Sequence, residues 1–229
     1  YHLRGVFALA RQVDGVTATS DQFDDKPWLL NFKNGTLELQ TGMFRDHRPE
    51  DYLTKLLPYA YDPDATCPRW ERFLREVTRD DESLIRFLQR AVGYALTGAI
   101  REHALFVLWG SGRNGKGKFI ETIAKLVNPY FVNLEVRSLM RSQQRGMPND
   151  IARLKGARFV TASESEQEQE LDAARVKTLT GGDTLTGEFK YGEQFDFAPT
   201  HKLFLSTNYR PAVTDHTSSI WDRMKLIPF

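Results

Sequence analysis

Residues 110–117 read Gly-Ser-Gly-Arg-Asn-Gly-Lys-Gly, two glycines framing four residues with a lysine directly after. Glycines so placed let backbone N–H groups turn inward around phosphate oxygens, and the lysine reaches the outer phosphates of a nucleotide. Gly110, Ser111, Gly112, Arg113, Asn114, Gly115, Lys116, Gly117 and Lys118 are therefore the candidate nucleotide-binding residues. Such a loop usually ends in Ser or Thr, whose hydroxyl helps to hold Mg²⁺. Gly117 stands there instead, with the charge of Lys118 beside it. Two more polar groups follow apolar runs. Glu164, with Glu166 as second choice, comes after Arg158–Ala162 and could hold Mg²⁺ or orient an attacking water, although it begins an acidic run whose members are mostly solvated. Asn208 comes after Lys202–Ser206, where an amide can position a hydrolytic water.

These residues need strands and helices to hold them. Ala104–Trp109 is a short apolar run that predicts a buried strand, and it feeds the glycine loop. Phe119, Ile120, Ile123, Ala124 and Val127 predict an amphipathic helix opening at the loop, whose N-terminus adds its dipole to an anion site. With strands at 158–162 and 202–206, the alternation argues for a parallel sheet covered by helices on both faces. Upstream, Asn34-Gly35 between Trp28–Phe32 and Thr36–Leu39 predicts a hairpin. Leu84, Phe87, Leu88, Ala91, Val92 and Ala95, after Asp80-Asp81, predict a helix ending near Gly98. Residues 1–99 thus read as a small, mainly helical domain with a hairpin, and 100–229 as the loop-bearing domain.

Thr184–Phe189 and Gln194–Phe197 alternate around Lys190-Tyr191-Gly192, which predicts a second hairpin with a basic, aromatic tip. A lysine pairs with phosphate and a tyrosine stacks on a base. Arg137, Arg141 and Arg145 recur every four residues and would share a helix face. The net charge of +1 gives no whole-chain signal for nucleic acid, so that site must be local. Cys67 stands alone, which excludes an internal disulfide and fits a reducing compartment. The five histidines show no zinc-ligand spacing. No apolar run approaches ~18 residues, which points to a cytoplasmic or nucleoid location without a membrane partner. The start at Tyr1 and the stop at Phe229 inside an apolar run give the look of a piece of something longer.

The motifs Gly110 to Phe119, Ser163-Glu164, Leu179–Asp183, Thr207–Pro211 and Ile220–Arg223 running to Phe229, taken in order, resemble superfamily 3 helicases. The nearest likeness is to the phage and plasmid primase-helicases, related to the poxvirus primase-helicase. Asn34–Leu39, Asp51–Thr54 and Phe87–Gly98 are similar to the helical domain that precedes the motor in that branch. The resemblance implies an α/β fold with an AAA+-type P-loop NTPase core. It implies a homo-hexameric ring that consumes ATP with Mg²⁺ and translocates on single-stranded DNA, typically 3′ to 5′, with a primase module upstream on the full-length chain. Lys116, Glu164 and Asn208 would then be the catalytic residues of one subunit, and Arg223 the arginine finger reaching the neighbour's γ-phosphate, with Arg210 competing for that role. Glu164 would serve the metal, and Lys190 and Tyr191 would grip DNA in the central channel. The rival reading is an oligomeric DNA-binding scaffold or remodeller that holds nucleotide but hydrolyses it weakly because of Gly117.

Overall fold

The computed structural model describes residues 9–10, 13, 18–19, 21–141, 148–163, 170–213 and 218–229, with the side chains of 148 and 149 outside that description. Upstream, strands β1 (Leu29–Phe32), β2 (Gly35–Glu38) and β3 (Met43–Arg45) form an antiparallel sheet in that order. The expected hairpin is β1–β2, closed by Lys33-Asn34 with Phe32 opposite Gly35. The third strand had no counterpart in the sequence reading.

Two helices follow. Helix α1 (Pro68–Thr78) starts with proline in its first turn and ends at Arg79, whose left-handed backbone (φ +55°) returns its N–H to the Arg75 and Glu76 carbonyls. Helix α2 (Glu82–Leu96) is capped by the Asp81 carboxylate, which accepts from the Ser83 and Leu84 amides.

The rest is a mixed α/β assembly on a five-stranded parallel sheet. Its strands are β4 (Leu105–Trp109), β5 (Phe131–Asn133), β6 (Phe159–Ser163), β9 (Lys202–Thr207) and β10 (Met224–Pro228), in the spatial order β10-β4-β9-β6-β5. Strands β7 (Leu185–Glu188) and β8 (Gln194–Phe197) pair separately as the second predicted hairpin. Helix α3 (Lys116–Leu126) opens at the glycine loop, α4 (Pro148–Ala152) lies along β7, and α5 (Ala173–Thr180) and α6 (Ser218–Arg223) follow.

Side chains alternate across the sheet as the pleat requires, so each strand feeds two cores. Leu105, Val107, Val160, Leu203 and Leu205 meet α5 and α6 through Val176, Leu179 and Ile220. Phe106, Leu108, Phe159 and Phe204 face the other way, toward Phe119 and Ile123 of α3 and also Leu74, Leu88, Ala91 and Ala95 of α1 and α2. The upstream helices therefore share a core with the sheet. Two buried cations tighten that join. Arg158 donates to the carbonyls of Leu96 (2.7 Å), Leu29 (2.8 Å) and Lys26 (3.3 Å). Lys202 Nζ donates to the Thr97 carbonyl and to Thr97 Oγ1 at 3.2 Å.

The predicted helix face bearing Arg137 and Arg141 does not form. Val136–Ser138 is one 3₁₀ turn, and Met140 then bridges to Leu171 in extended backbone. Without a continuous apolar stripe there is nothing to bury along a longer helix, and each arginine instead meets a carboxylate, Glu135 at 2.5 Å and Glu170 at 3.2 Å. Arg145 lies outside the described residues.

Candidate nucleotide-binding site

The glycine loop leaves the C-terminal end of β4, where open parallel sheets place their ligands. Gly110 is packed from both sides, since a Cβ there would lie 2.2 Å from Asn114 Nδ2 and 2.3 Å from the Phe229 carbonyl oxygen. Asn114 Nδ2 donates to that carbonyl at 2.9 Å, which ties the loop to the end of β10. Gly115 has φ +98°, a left-handed backbone closed to most side chains, and its Cβ would meet Val77 Cγ1 at 2.6 Å. Helix α1 is thus pressed against the loop itself.

Lys116 is 5% exposed. Its ammonium donates to the Gly110 carbonyl, to Asn114 Oδ1 at 3.0 Å and to Asn208 Oδ1 at 3.3 Å. All three partners are neutral, and among the described residues no carboxylate pairs with it. Burial pushes its pKa below the ordinary lysine range. A cation so placed, at the N-terminus of an 11-residue helix, favours an anion beside it. Thr207 holds the turn that carries Asn208, accepting from the Tyr209 amide at 3.0 Å and donating to its carbonyl at 2.7 Å. Two residues predicted from separate segments, Lys116 and Asn208, are thereby brought into contact.

Ser111, Gly112, Arg113, Gly117 and Lys118 are exposed around the loop. A Cβ on Gly117 would meet nothing within 4 Å. A cavity of ≈ 660 Å³ opens there, lined by Gly117 together with Asn133, Thr161, Ser163 and Ser206 at the strand tips. Oxygen donors of this kind suit Mg²⁺ and water. Glu164 and Glu166 lie outside the described residues. Lys118 pairs with Glu121 at 2.8 Å, and Lys125 does so from the other side at 2.7 Å. These two ammonium groups hold the Glu121 carboxyl down at about 2.

Arg223 is at the other end of the sheet. Helix α6 delivers it just before Met224, which pairs with Leu105 at the start of β4, whereas the loop leaves β4 after Trp109. The length of the strand, roughly 15 Å, separates it from its own loop. Its guanidinium donates to the Ser219 carbonyl at 2.9 Å and lies 3.4 Å from His103 Nδ1. Arg210 is on the loop side, with its guanidinium 4.6 Å from the centre of the Trp109 ring.

The β7–β8 hairpin carries Lys190 and Tyr191 at its tip, with Tyr191 94% exposed and the Lys190 ammonium 5.1 Å from the centre of its ring. Its ladder is anchored at Gly187, where a Cβ would come within 2.7 Å of Ala152 Cα.

Sequence reasoning missed the wall that α1 makes against the loop. Trp70, Phe73, Leu74 and Val77 recur at i, i+3, i+4 and i+7 after Pro68, a helical pattern hidden behind a proline-rich stretch.

Comparison with known proteins matches residues 3–79 to a family described as D5 N terminal like, and residues 108–223 to a family of unknown function (DUF5906). A protein named "Putative helicase" of Acanthamoeba polyphaga mimivirus is 31% identical over 212 residues, covering 90% of this chain and 22% of its own. Another "Putative helicase", of Invertebrate iridescent virus 3, is 30% identical over 92% of this chain and 23% of its own. A "Putative primase" of African swine fever virus is 23% identical over 88% of this chain and 22% of its own. The chain therefore spans less than a quarter of the length of these relatives. Among solved structures, the apo NrS-1 C terminal region superposes with a TM-score of 0.57 at 14% identity, over 90% of this chain and 45% of that one. With a D5 N terminal like segment followed by a DUF5906 segment that fills half of it, and with relatives aligned across both, the chain belongs to the phage and viral primase-helicase family.

Proposed function

We propose that this chain is the ATP-driven motor segment of a replicative DNA helicase, an AAA+-type core acting on single-stranded DNA within a homo-hexameric ring. The observation that carries the reading is the buried Lys116 ammonium, held at the start of α3 by three neutral oxygens, with no carboxylate beside it among the described residues. The β and γ phosphates of ATP would supply an anion there. Asn208, already on Lys116, would position the water that attacks the γ-phosphorus as the bond to the bridging oxygen breaks. Mg²⁺ would be held by the phosphates, by water and by Glu164, with Ser163 and Ser206 close by, and when bound it would neutralise charge that develops on the phosphoryl oxygens. Placed a strand's length from its own loop, Arg223 fits a finger that serves the adjoining subunit, and Arg210, against Trp109 at the loop end of β4, is the competing candidate for that role. The exposed tip at Lys190 and Tyr191 fits a DNA grip, and names such as helicase and primase among the relatives agree with that task.

The test is hydrolysis of ATP by the purified chain with and without single-stranded DNA. Wild type is expected to be stimulated by DNA and Lys116→Ala to be inactive. Mixing Arg223→Ala with Lys116→Ala subunits should restore part of the rate, and confirmed mixed rings without any rescue would remove Arg223 from the site. The scaffold reading is favoured only by Gly117, and it predicts intact nucleotide and DNA binding with no hydrolysis in wild type.

A further inference from the structure

The glycine loop fixes where phosphates go but not where the rest of the nucleotide goes, and a cavity lies on each side of the first turn of α3. The strand-tip cavity beside Gly117 has hydroxyls and amides on the sheet side and Ile120, Glu121, Ala124 and Lys125 of α3 opposite them. The other, ≈ 600 Å³, lies between α1 and α3, with Cys67, Arg69, Trp70, Arg72, Phe73 and Glu76 on one wall and Lys118 on the other. Phe73 belongs to both features, because its ring lines this cavity and lies 3.3 Å from where a Cβ on Gly115 would be. Trp70 stacks on Phe73 at 5.2 Å and on Phe119 of α3 at 5.6 Å, so the aromatic floor is braced by the helix that carries the loop. The volume is that of a small-ligand pocket. Both cavities carry a carboxylate and aromatic surface, but only this one has two stacked rings, Trp70 and Phe73, with guanidinium groups beside them.

We propose that the cavity between α1 and α3 is the nucleoside subsite, taking the base and ribose of the ATP whose phosphates lie on residues 110–118. The inference rests on the reading of the loop given above. The aromatic floor offers the base a packing surface, Arg69 and Arg72 offer donors to ribose and ring acceptors, and Glu76 offers an acceptor to an exocyclic amino group. The nucleoside would thus be recognised by the D5 N terminal like segment, and the phosphates by the segment that follows it.

Cys67 is the only cysteine in the chain, is exposed, and lines this cavity, so its reactivity reports on the cavity alone. In the full chain, the rate of its modification by a thiol reagent is measured with ATP, with ADP and with inorganic tripolyphosphate, alongside equilibrium dialysis of each. The expected result is that ATP and ADP slow modification severalfold while bound tripolyphosphate leaves it unchanged. Arg72→Ala, at an exposed position, should weaken ATP roughly tenfold and tripolyphosphate not at all, the loss of a hydrogen bond to a charged group. Bound ATP with Cys67 unprotected, equal protection by tripolyphosphate, or an Arg72→Ala variant that binds ATP as wild type does would each overturn the subsite while leaving the loop reading in place. If neither ATP nor tripolyphosphate binds, the loop reading falls and the subsite with it.

Discussion

At the scale of single residues, Gly117 is where the chain departs from the usual pattern and where a change is easiest to interpret. Because a Cβ there meets nothing within 4 Å, Gly117→Thr is expected to fold as wild type, with a melting temperature unchanged or slightly raised as a glycine in the first turn of α3 is replaced. It should also lower the Mg²⁺ concentration needed for nucleotide binding, read by titrating the metal at fixed ATP. No change in that requirement would mean that the strand-tip oxygens already satisfy the metal. Gly110 contrasts with it, since Gly110→Ala drives a methyl into Asn114 and the Phe229 carbonyl and should cost on the order of 2 kcal/mol by denaturant titration. His201 makes a pH-dependent contribution. Burial pushes its imidazole down to about 4 from an ordinary 6.5. Between those values the unfolded chain binds a proton that the folded chain refuses, so stability falls as pH drops from 6.5 toward 4. His201→Gln should flatten that part of the stability profile, and an equal slope in both proteins would rule the residue out as its source.

At the scale of elements, the β7–β8 hairpin separates stability from function. Lys190 and Tyr191 are exposed at its tip while Gly187 packs its ladder against Ala152, so Lys190→Ala and Tyr191→Ala should leave stability within about 0.5 kcal/mol of wild type. Both should weaken single-stranded DNA binding, and Lys190→Ala should also reduce the salt slope by about one phosphate contact. This hairpin was legible in the sequence because period-two alternation brackets a turn, as were β4, β6 and β9, whose apolar runs are buried on both faces. β5 and β10 were not. Phe131–Asn133 is three residues long, and in β10 only Ile227 is buried, so edge position leaves little pattern to read. The arginine spacing at 137 and 141 misled for the opposite reason, being a helical period in charge without one in apolar residues. Of the site, Lys116 and Asn208 were legible from motif order, whereas the α1 wall depended on packing between segments far apart in sequence.

At the scale of the whole molecule, residues on either side of position 100 share a core. Arg158, just before β6, and Lys202, at the start of β9, donate to carbonyls at the end of α2, and Arg158 also to carbonyls at the start of β1 and just before it. A fragment beginning at residue 100 would take all three carbonyls from Arg158, leave Lys202 only the Thr200 carbonyl, and expose the face made by Phe106, Phe159 and Phe204. It is expected to be insoluble or to lack a cooperative thermal transition by circular dichroism, whereas the full chain should melt as one unit. Arg158→Ala in the full chain should cost about 3 kcal/mol or more, because three carbonyls lose their donor at once. The contact of Phe73 and Val77 with Gly115 has one more implication. The glycine loop leans on a helix from the other half of the chain, so in the proposed motor a tension reaching α1 from upstream would change the grip on nucleotide. By reciprocity, nucleotide bound there would act back on α1 with the same energy, which would make that helix a strain gauge for the proposed motor.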